Sequence, residues 1–220
     1  MAEKKVGIIS TILHSPAELK PLTDEIIPGV RVVNIVDDSL VHEVLENGYV
    51  TAGICRRLTA YAKEMQYMGC RAVVANCSSM SGMLPYIQKQ LDIPIMSIDR
   101  AMAVEAVSLG KKIAIVATAF TTKGPTTDMI RTAAQEAGKD VYIDFFMAEG
   151  AYDAMLKEND REKHDRILIQ TIENARRKAD VVCLAQGSMF RIAEQYRNAP
   201  GVPVIHTFRS GIAQFIPYLD

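Results

Sequence analysis

The chain has 220 residues, 49% of them apolar and 23% charged, with a net charge of −1 and an isoelectric point near 6.4. That length suffices for one large or two small domains, each with its own core. The balanced charge offers no basic stripe for nucleic acid, and the first apolar run, 6–9, is too short for a signal-peptide core or a membrane span, so no nucleic-acid or membrane partner and a cytoplasmic location are expected.

Taken in chain order, apolar runs that read as strands fall at 6–10, 31–35, 72–75, 95–98, 113–117, 141–145, 181–184 and 204–205. Longer amphipathic segments separate them. In 49–68, Ile54, Leu58, Tyr61, Ala62 and Met65 recur at the spacing of a helix face. Residues 99–109 form another helix, with Asp99 as its N-cap and Gly110 as its stop. Strand and helix alternate throughout, which predicts βαβ units and a mainly parallel α/β sheet of flavodoxin-like form.

The chain also repeats itself. Residues 4–11 (KKVGIIST) match 111–118 (KKIAIVAT), at an offset of 107. Residues 73–80 (VVANCSSM) match 182–189 (VCLAQGSM), at an offset of 109, and the IPI…R ending at Arg100 matches VPV…R ending at Arg209 at the same offset. Polar residues match as well as apolar ones, so common strand composition does not account for the pattern. The expected organisation is two pseudo-symmetric halves, 1–100 with 209–220 and 101–208. Parallel sheets bind ligands at the carboxyl ends of their strands, so the predicted active site lies in a cleft where the strand ends of both halves meet.

The residues just after the matching strands then become the candidates. Cys77 follows a predicted strand and precedes Ser78 and Ser79, which suit the start of a helix. Unsatisfied backbone N–H groups there favour negative charge, which promotes the thiolate of a cysteine and offers a seat for a carboxylate. Asn76 and Ser10 border the same place. In the second half, Gln186 stands where Cys77 stands in the first, followed by Gly187 and Ser188. Gln186 neither takes nor gives a proton at neutral pH. Thr118, Phe120, Thr121 and Thr122 follow the strand that opens the second half and add hydroxyls to the site. For each Ser and Thr, ordinary helix capping is the competing reading. His206, after the last strand, and His14, in the loop after the first, are candidate acid/base groups. His42 and His164 read as surface helix residues, and Asp37-Asp38-Ser39 as a solvated helix start bordering the site. Cys55, Cys70 and Cys183 read as packing residues, and no CxxC pair or Cys/His cluster indicates a metal. The absence of GxGxxG, GxxxxGK[ST] and GxSxG disfavours dinucleotide binding, nucleotide triphosphate hydrolysis and a serine elbow.

A strand ending in Asn76-Cys77-Ser78-Ser79-Met80, a related Gln186-Gly187-Ser188-Met189, and segments such as Val36-Asp37-Asp38-Ser39-Leu40 and Ala117-Thr118 together resemble the aspartate/glutamate/hydantoin racemase superfamily. The resemblance covers nearly the whole chain. It implies cofactor-independent chemistry at the carbon beside a carboxylate, with one cysteine in each half working on opposite faces of that carbon, on a homo-oligomer. Carried over, Cys77 is the first-half thiol, with Ser78 and Ser79 as carboxylate-binding neighbours. Gln186 occupies the place of the second thiol, and this departs from the family pattern, because two-sided proton transfer needs a proton donor on each face. The family's decarboxylases of arylmalonate type have one thiol, but in the second half, and a Tyr where Phe120 stands. Its maleate isomerases retain both. An isomerase, a lyase and a non-catalytic carboxylate-binding protein all remain open at this point.

Overall fold

A computed structural model describes residues 3–219, apart from the side chains of Thr121 and Leu156. The chain divides into two compact units, Met1–Ile98 with Gly211–Asp220, and Asp99–Ser210. In the first, strands β1 (Lys5–Ser10), β2 (Arg31–Val36), β3 (Val73–Asn76) and β4 (Ile95–Ser97) alternate with helices α1 (Ser15–Ile26), α2 (Ser39–Asn47), α3 (Ala52–Tyr67) and α4 (Leu84–Gln88). Helix α5 (Ile98–Leu109) leads into β5 (Lys112–Ala117), β6 (Tyr142–Met147), β7 (Val181–Leu184) and β8 (Val204–His206). Among these lie α6 (Lys123–Glu136), α7 (Ala151–Leu156), α8 (Arg161–Arg176) and α9 (Phe190–Tyr196), and α10 (Thr207–Ala213) follows β8. Each unit holds one all-parallel, four-stranded sheet, with order β2-β1-β3-β4 in one and β6-β5-β7-β8 in the other.

The central strands are apolar runs because both their faces are covered. Every residue of β3 and β7 is buried. In the second unit alternate residues separate cleanly: Val182 and Leu184 pack with Leu168 and Ile172 of α8, while Val181 and Cys183 pack with Met102 and Ala106 of α5 and Ile130 of α6. The edge strands β2 and β6 have no fully buried residue. Helix α3 starts where the Thr51 hydroxyl accepts the Ile54 N–H at 3.1 Å, and its face of Ile54, Leu58, Ala62 and Met65 enters the first core.

Two helix expectations need correction. Helix α5 begins at Ile98, so Asp99 lies inside its first turn, where its carboxylate accepts the Thr207 hydroxyl at 2.6 Å. His164 is buried, because it continues the stripe of Leu168, Ile172 and Ala175 on α8, four residues before the first of them. Its Nδ1 bonds Asp165, which also pairs with Arg191.

The strand registers reproduce the internal repeat. Gly7 pairs with Val73 in the first unit and Ala114 with Val182 in the second, while Val73 pairs with Ile95 and Val182 with Val204. These equivalences preserve the offsets of 107 and 109 seen in the sequence, and they make Cys77 the register counterpart of Gln186, and Ser97 that of His206. Among the described residues no helix is long and apolar enough to cross a membrane.

Close approach of α3 to β1 leaves no room for a side chain at Gly7: a Cβ there would sit 2.3 Å from Met65 Sδ. Gly7→Ala is expected to cost about 1–3 kcal/mol through overpacking. The check is a lowered urea midpoint with an unchanged slope.

Candidate active site

In the first unit the carboxyl ends of β1 and β3 carry Ser10, Thr11, Asn76 and Cys77. Ser10 and Asn76 pair in register, and Asn76 Nδ2 donates to Ser10 Oγ at 3.3 Å. Ser10 is fully buried and Asn76 nearly so, which gives them a part in joining the two strand ends. Cys77 follows in extended conformation (φ −160°, ψ 112°) and is half-buried. Its carbonyl accepts the Met80 N–H at 3.1 Å, opening a turn. That turn, Ser78–Met83, is 3₁₀ rather than the α-helix start expected from the sequence, and α4 beyond it has five residues. A short turn aligns few peptide dipoles, so any favourable field at the thiol comes from the local N–H groups at Ser78 and Ser79. Ser78 is half-buried and Ser79 exposed. Ser81 and Ser97, which the sequence reading missed, share a hydrogen bond of 2.8 Å behind the turn. The 109-residue offset from His206 pointed to Ser97 as a strand-end residue.

The second unit has the same frame and different contents. Gln186 (φ −128°, ψ 136°) precedes a 3₁₀ turn, Gly187–Met189. Its Oε1 accepts from the Thr118 backbone N–H at 2.6 Å and from the Thr118 hydroxyl at 3.2 Å. A backbone N–H only donates, so the carboxamide atom facing Thr118 must be the oxygen. The amide nitrogen with its two N–H bonds is thereby turned to the other side, and no acceptor for it is found among the described residues. The Gln186 main chain is held too: its carbonyl lies 2.9 Å from His206 Nε2 and accepts the Met189 N–H at 3.0 Å. His206 Nδ1 accepts the Phe208 N–H at 3.0 Å, so the proton of the neutral ring is on Nε2 and is donated to Gln186.

This arrangement corrects the reading of His206 as an acid/base or substrate-binding group. Both ring nitrogens are committed, and the ring is buried between Phe190 and Phe208, at centroid distances of 5.5 and 4.9 Å. Burial pushes its pKa down to about 4, against the smaller opposing effect of the Gln186 carbonyl. The other candidate base, His14, is exposed at the start of α1 with Nε2 3.5 Å from Glu18.

The remaining predicted residues are placed as follows. Gly187 permits the tight packing of its turn, since a Cβ there would stand 2.7 Å from Phe208 Cζ. Ser188 is exposed. Thr122 is half-buried at the cap position of α6 and makes no side-chain capping bond. The side chain of Thr121 lies outside the described residues. Phe120 is 66% exposed and meets Phe145 edge-on at 6.0 Å, with Lys123 Nζ 5.3 and 5.5 Å from the two ring centres. Lys123 and Phe145 were not foreseen. The i, i+3 spacing of Phe120 and Lys123 was visible in the sequence, but Phe145 joins them through the pairing of β6 with β5.

Asp37 is more tightly engaged than a solvated helix start. Burial raises its pKa, but bonds from Ser39 and Tyr61 and the charge of Arg57 outweigh this and hold it below the usual carboxylate range. Tyr61 donates to it at 2.7 Å, and Arg57 also pairs with Glu43, so β2, α2 and α3 are tied together there. Burial raises the pKa of Cys70, and of Cys183 strongly, which leaves both as protonated packing residues. A cavity of about 760 Å³ lined by Cys55, Arg56, Lys63 and Tyr86 contains none of the predicted site residues. No metal-competent cluster of three His, Cys, Asp or Glu occurs among the described residues.

Two parallel sheets of equal order, with a thiol at one strand end and an amide at its counterpart, define a class of duplicated α/β proteins. The model of the Asp/Glu/Hydantoin racemase family matches residues 17–215, and the chain belongs to that family. Among solved structures, it is similar to an aspartate racemase of Picrophilus torridus (17% identity, TM-score 0.68, covering 97% of this chain and 93% of that one). It is also similar to a glutamate racemase of Bacillus anthracis (14%, 0.69, 97% and 80%) and to an arylmalonate decarboxylase (12%, 0.59, 98% and 93%). At such identities the likeness is one of fold. No curated protein sequence matches.

The burial of His206 has a measurable consequence. The folded ring stays neutral down to about pH 4, whereas the unfolded chain protonates it near 6.5. Between these values the unfolded state binds the extra proton, so stability falls as pH is lowered through the window, by up to about 3 kcal/mol, and is unaffected above it. Urea titrations at the two ends of the window, on the wild type and His206→Asn, are expected to show most of this dependence lost in the variant.

Proposed function

We propose that the protein is a cofactor-independent isomerase acting at the carbon next to the carboxylate of a small acid, with Cys77 as the group that takes the α-proton. The observation that carries this reading is the position of Cys77: a half-buried thiol directly after a central parallel strand, at the register position that its repeat fills with Gln186. Of the other cysteines, two are buried and protonated and one lies on α3.

The proton leaves the α-carbon for the Cys77 sulfur, and the electron pair spreads into the carboxylate as an enediolate. The backbone N–H groups of the turn that follows Cys77, at Ser78 and Ser79, supply donors for that charge. Donors placed where charge develops contribute roughly 3–4 kcal/mol each in well-ordered sites. A lyase is the second reading, favoured by the single strand-end thiol. Loss of carbon dioxide from a substituted malonate would create the same enediolate, which Cys77 would then protonate. Similarity to an arylmalonate decarboxylase is consistent with that variant.

The test is deuterium incorporation at the α-carbon of a panel of small carboxylic acids in heavy water, followed by NMR. Cys77→Ser is expected to lower exchange by more than about 100-fold, as for loss of a proton-transfer group, and Cys55→Ser to leave it unchanged. Full exchange by Cys77→Ser would remove the thiol from the mechanism. Carbon dioxide release from a substituted malonate, abolished in the same variant, would select the lyase.

A further inference from the structure

We propose that the groove where α3 meets α4 is a binding site for a small amphipathic anion, an acid whose apolar body lies on the groove floor and whose head meets Arg56 and Lys63. The site lies within the first unit alone and does not rest on the chemistry proposed for Cys77.

The groove has a volume of about 760 Å³, within the range of sites that take small organic ligands. Val50, Ala52, Cys55, Ala60 and Met83 give it an apolar floor. The two threonine hydroxyls among its lining residues are already engaged within α3 and its cap. Thr51 Oγ1 donates to Glu43 and accepts the Ile54 N–H, and Thr59 Oγ1 donates to the Cys55 carbonyl at 2.8 Å. The floor therefore holds water weakly, and an apolar body gains free energy by displacing it. Tyr86, 62% exposed, forms one flank, with Lys89 Nζ 5.9 Å from its ring centre.

The charge on the groove is all of one sign. Arg56 and Lys63 are cations, and no acid is among its lining residues. The two stand seven residues apart on one face of α3, about 10 Å along its axis, on either side of Ala60. Among the described residues neither has an ion-pair or hydrogen-bond partner. Glu43, the acid bonded to Thr51, is already paired with Arg57. An anion therefore meets two uncompensated cations, and a cation meets repulsion. The same charges oppose a second copy of this face laid across a two-fold axis, which would bring Arg56 and Lys63 toward their own equivalents.

The experiment follows the alkylation of Cys55 by N-ethylmaleimide in the full chain carrying Cys77→Ser, read by mass spectrometry, since Cys70 and Cys183 are buried. Affinity for decanoate is measured alongside by calorimetry. Decanoate is expected to bind and to slow the alkylation saturably. Decanol and decyltrimethylammonium should act only at several-fold higher concentration, and acetate, a head without a body, should have no effect. Arg56→Gln combined with Lys63→Gln should weaken decanoate binding roughly five- to tenfold and leave the response to decanol unchanged. Ala60→Glu, at an exposed helix position, places an acid on the floor and should abolish decanoate binding. No heat and no protection with decanoate, or equal protection by decyltrimethylammonium, would overturn the proposal. So would a concentration-dependent dimer that Ala60→Glu dissociates, because a second copy of the chain would then be the occupant.

Discussion

The hydrogen-bond register of the two central strand pairs is the constraint from which the rest of the site follows. Side chains alternate along a strand, so a slip of one residue sends every side chain to the opposite face. With β3 and β7 wholly buried on both faces, such a slip would push apolar residues out of two packed layers. The pairing of Ser10 with Asn76 in one unit, and of Val116 with Leu184 in the other, is therefore held by the full energy of the core. Cys77 and Gln186 inherit their positions from it. Polar bonds close the two strand ends, Asn76 to Ser10 within the last pair of one ladder and Thr118 to Gln186 just beyond the last pair of the other.

On this common frame the two repeats have diverged in what they hold. The first carries a thiol, with small hydroxyl residues behind it at Ser81 and Ser97. The second carries a carboxamide braced by an imidazole, and the imidazole is enclosed by two phenylalanine rings. Burying a histidine disfavours its charged form, and here that cost is met by keeping the ring neutral with both nitrogens hydrogen-bonded. A group so committed is a brace. The difference between the repeats is thus chemical rather than architectural: one offers a group able to exchange a proton, the other a set of oriented donors.

The strands were legible because parallel strands covered on both sides must be continuous apolar runs, and all eight predicted positions coincide with observed strands within a residue or two. The helices were legible less evenly. His164 looked like a surface residue because histidine usually is one, yet it lies in line with Leu168 and Ile172 on the buried stripe of α8. Asp99 looked like a cap, but its carboxylate has its partner in Thr207, 108 residues away, which no local pattern reveals. Cys77 was readable as a strand-end thiol, while the short 3₁₀ turn after it, in place of a full helix, depends on how α4 packs.

The amino-acid order by itself determined the alternation of strand and helix, the repeat at 107 and 109 residues, the family, and the substitution of an amide for a thiol at position 186. These are properties of local periodicity and of self-comparison, which need no knowledge of contacts. Only the tertiary structure decided which way the Gln186 amide turns, that His206 is a brace with its proton on Nε2, and that Asp37 is bound to Tyr61 and Arg57. The physical reason is that a side chain's orientation and ionisation are set by the donors, acceptors and burial around it, and those partners come from strands and helices distant in the chain.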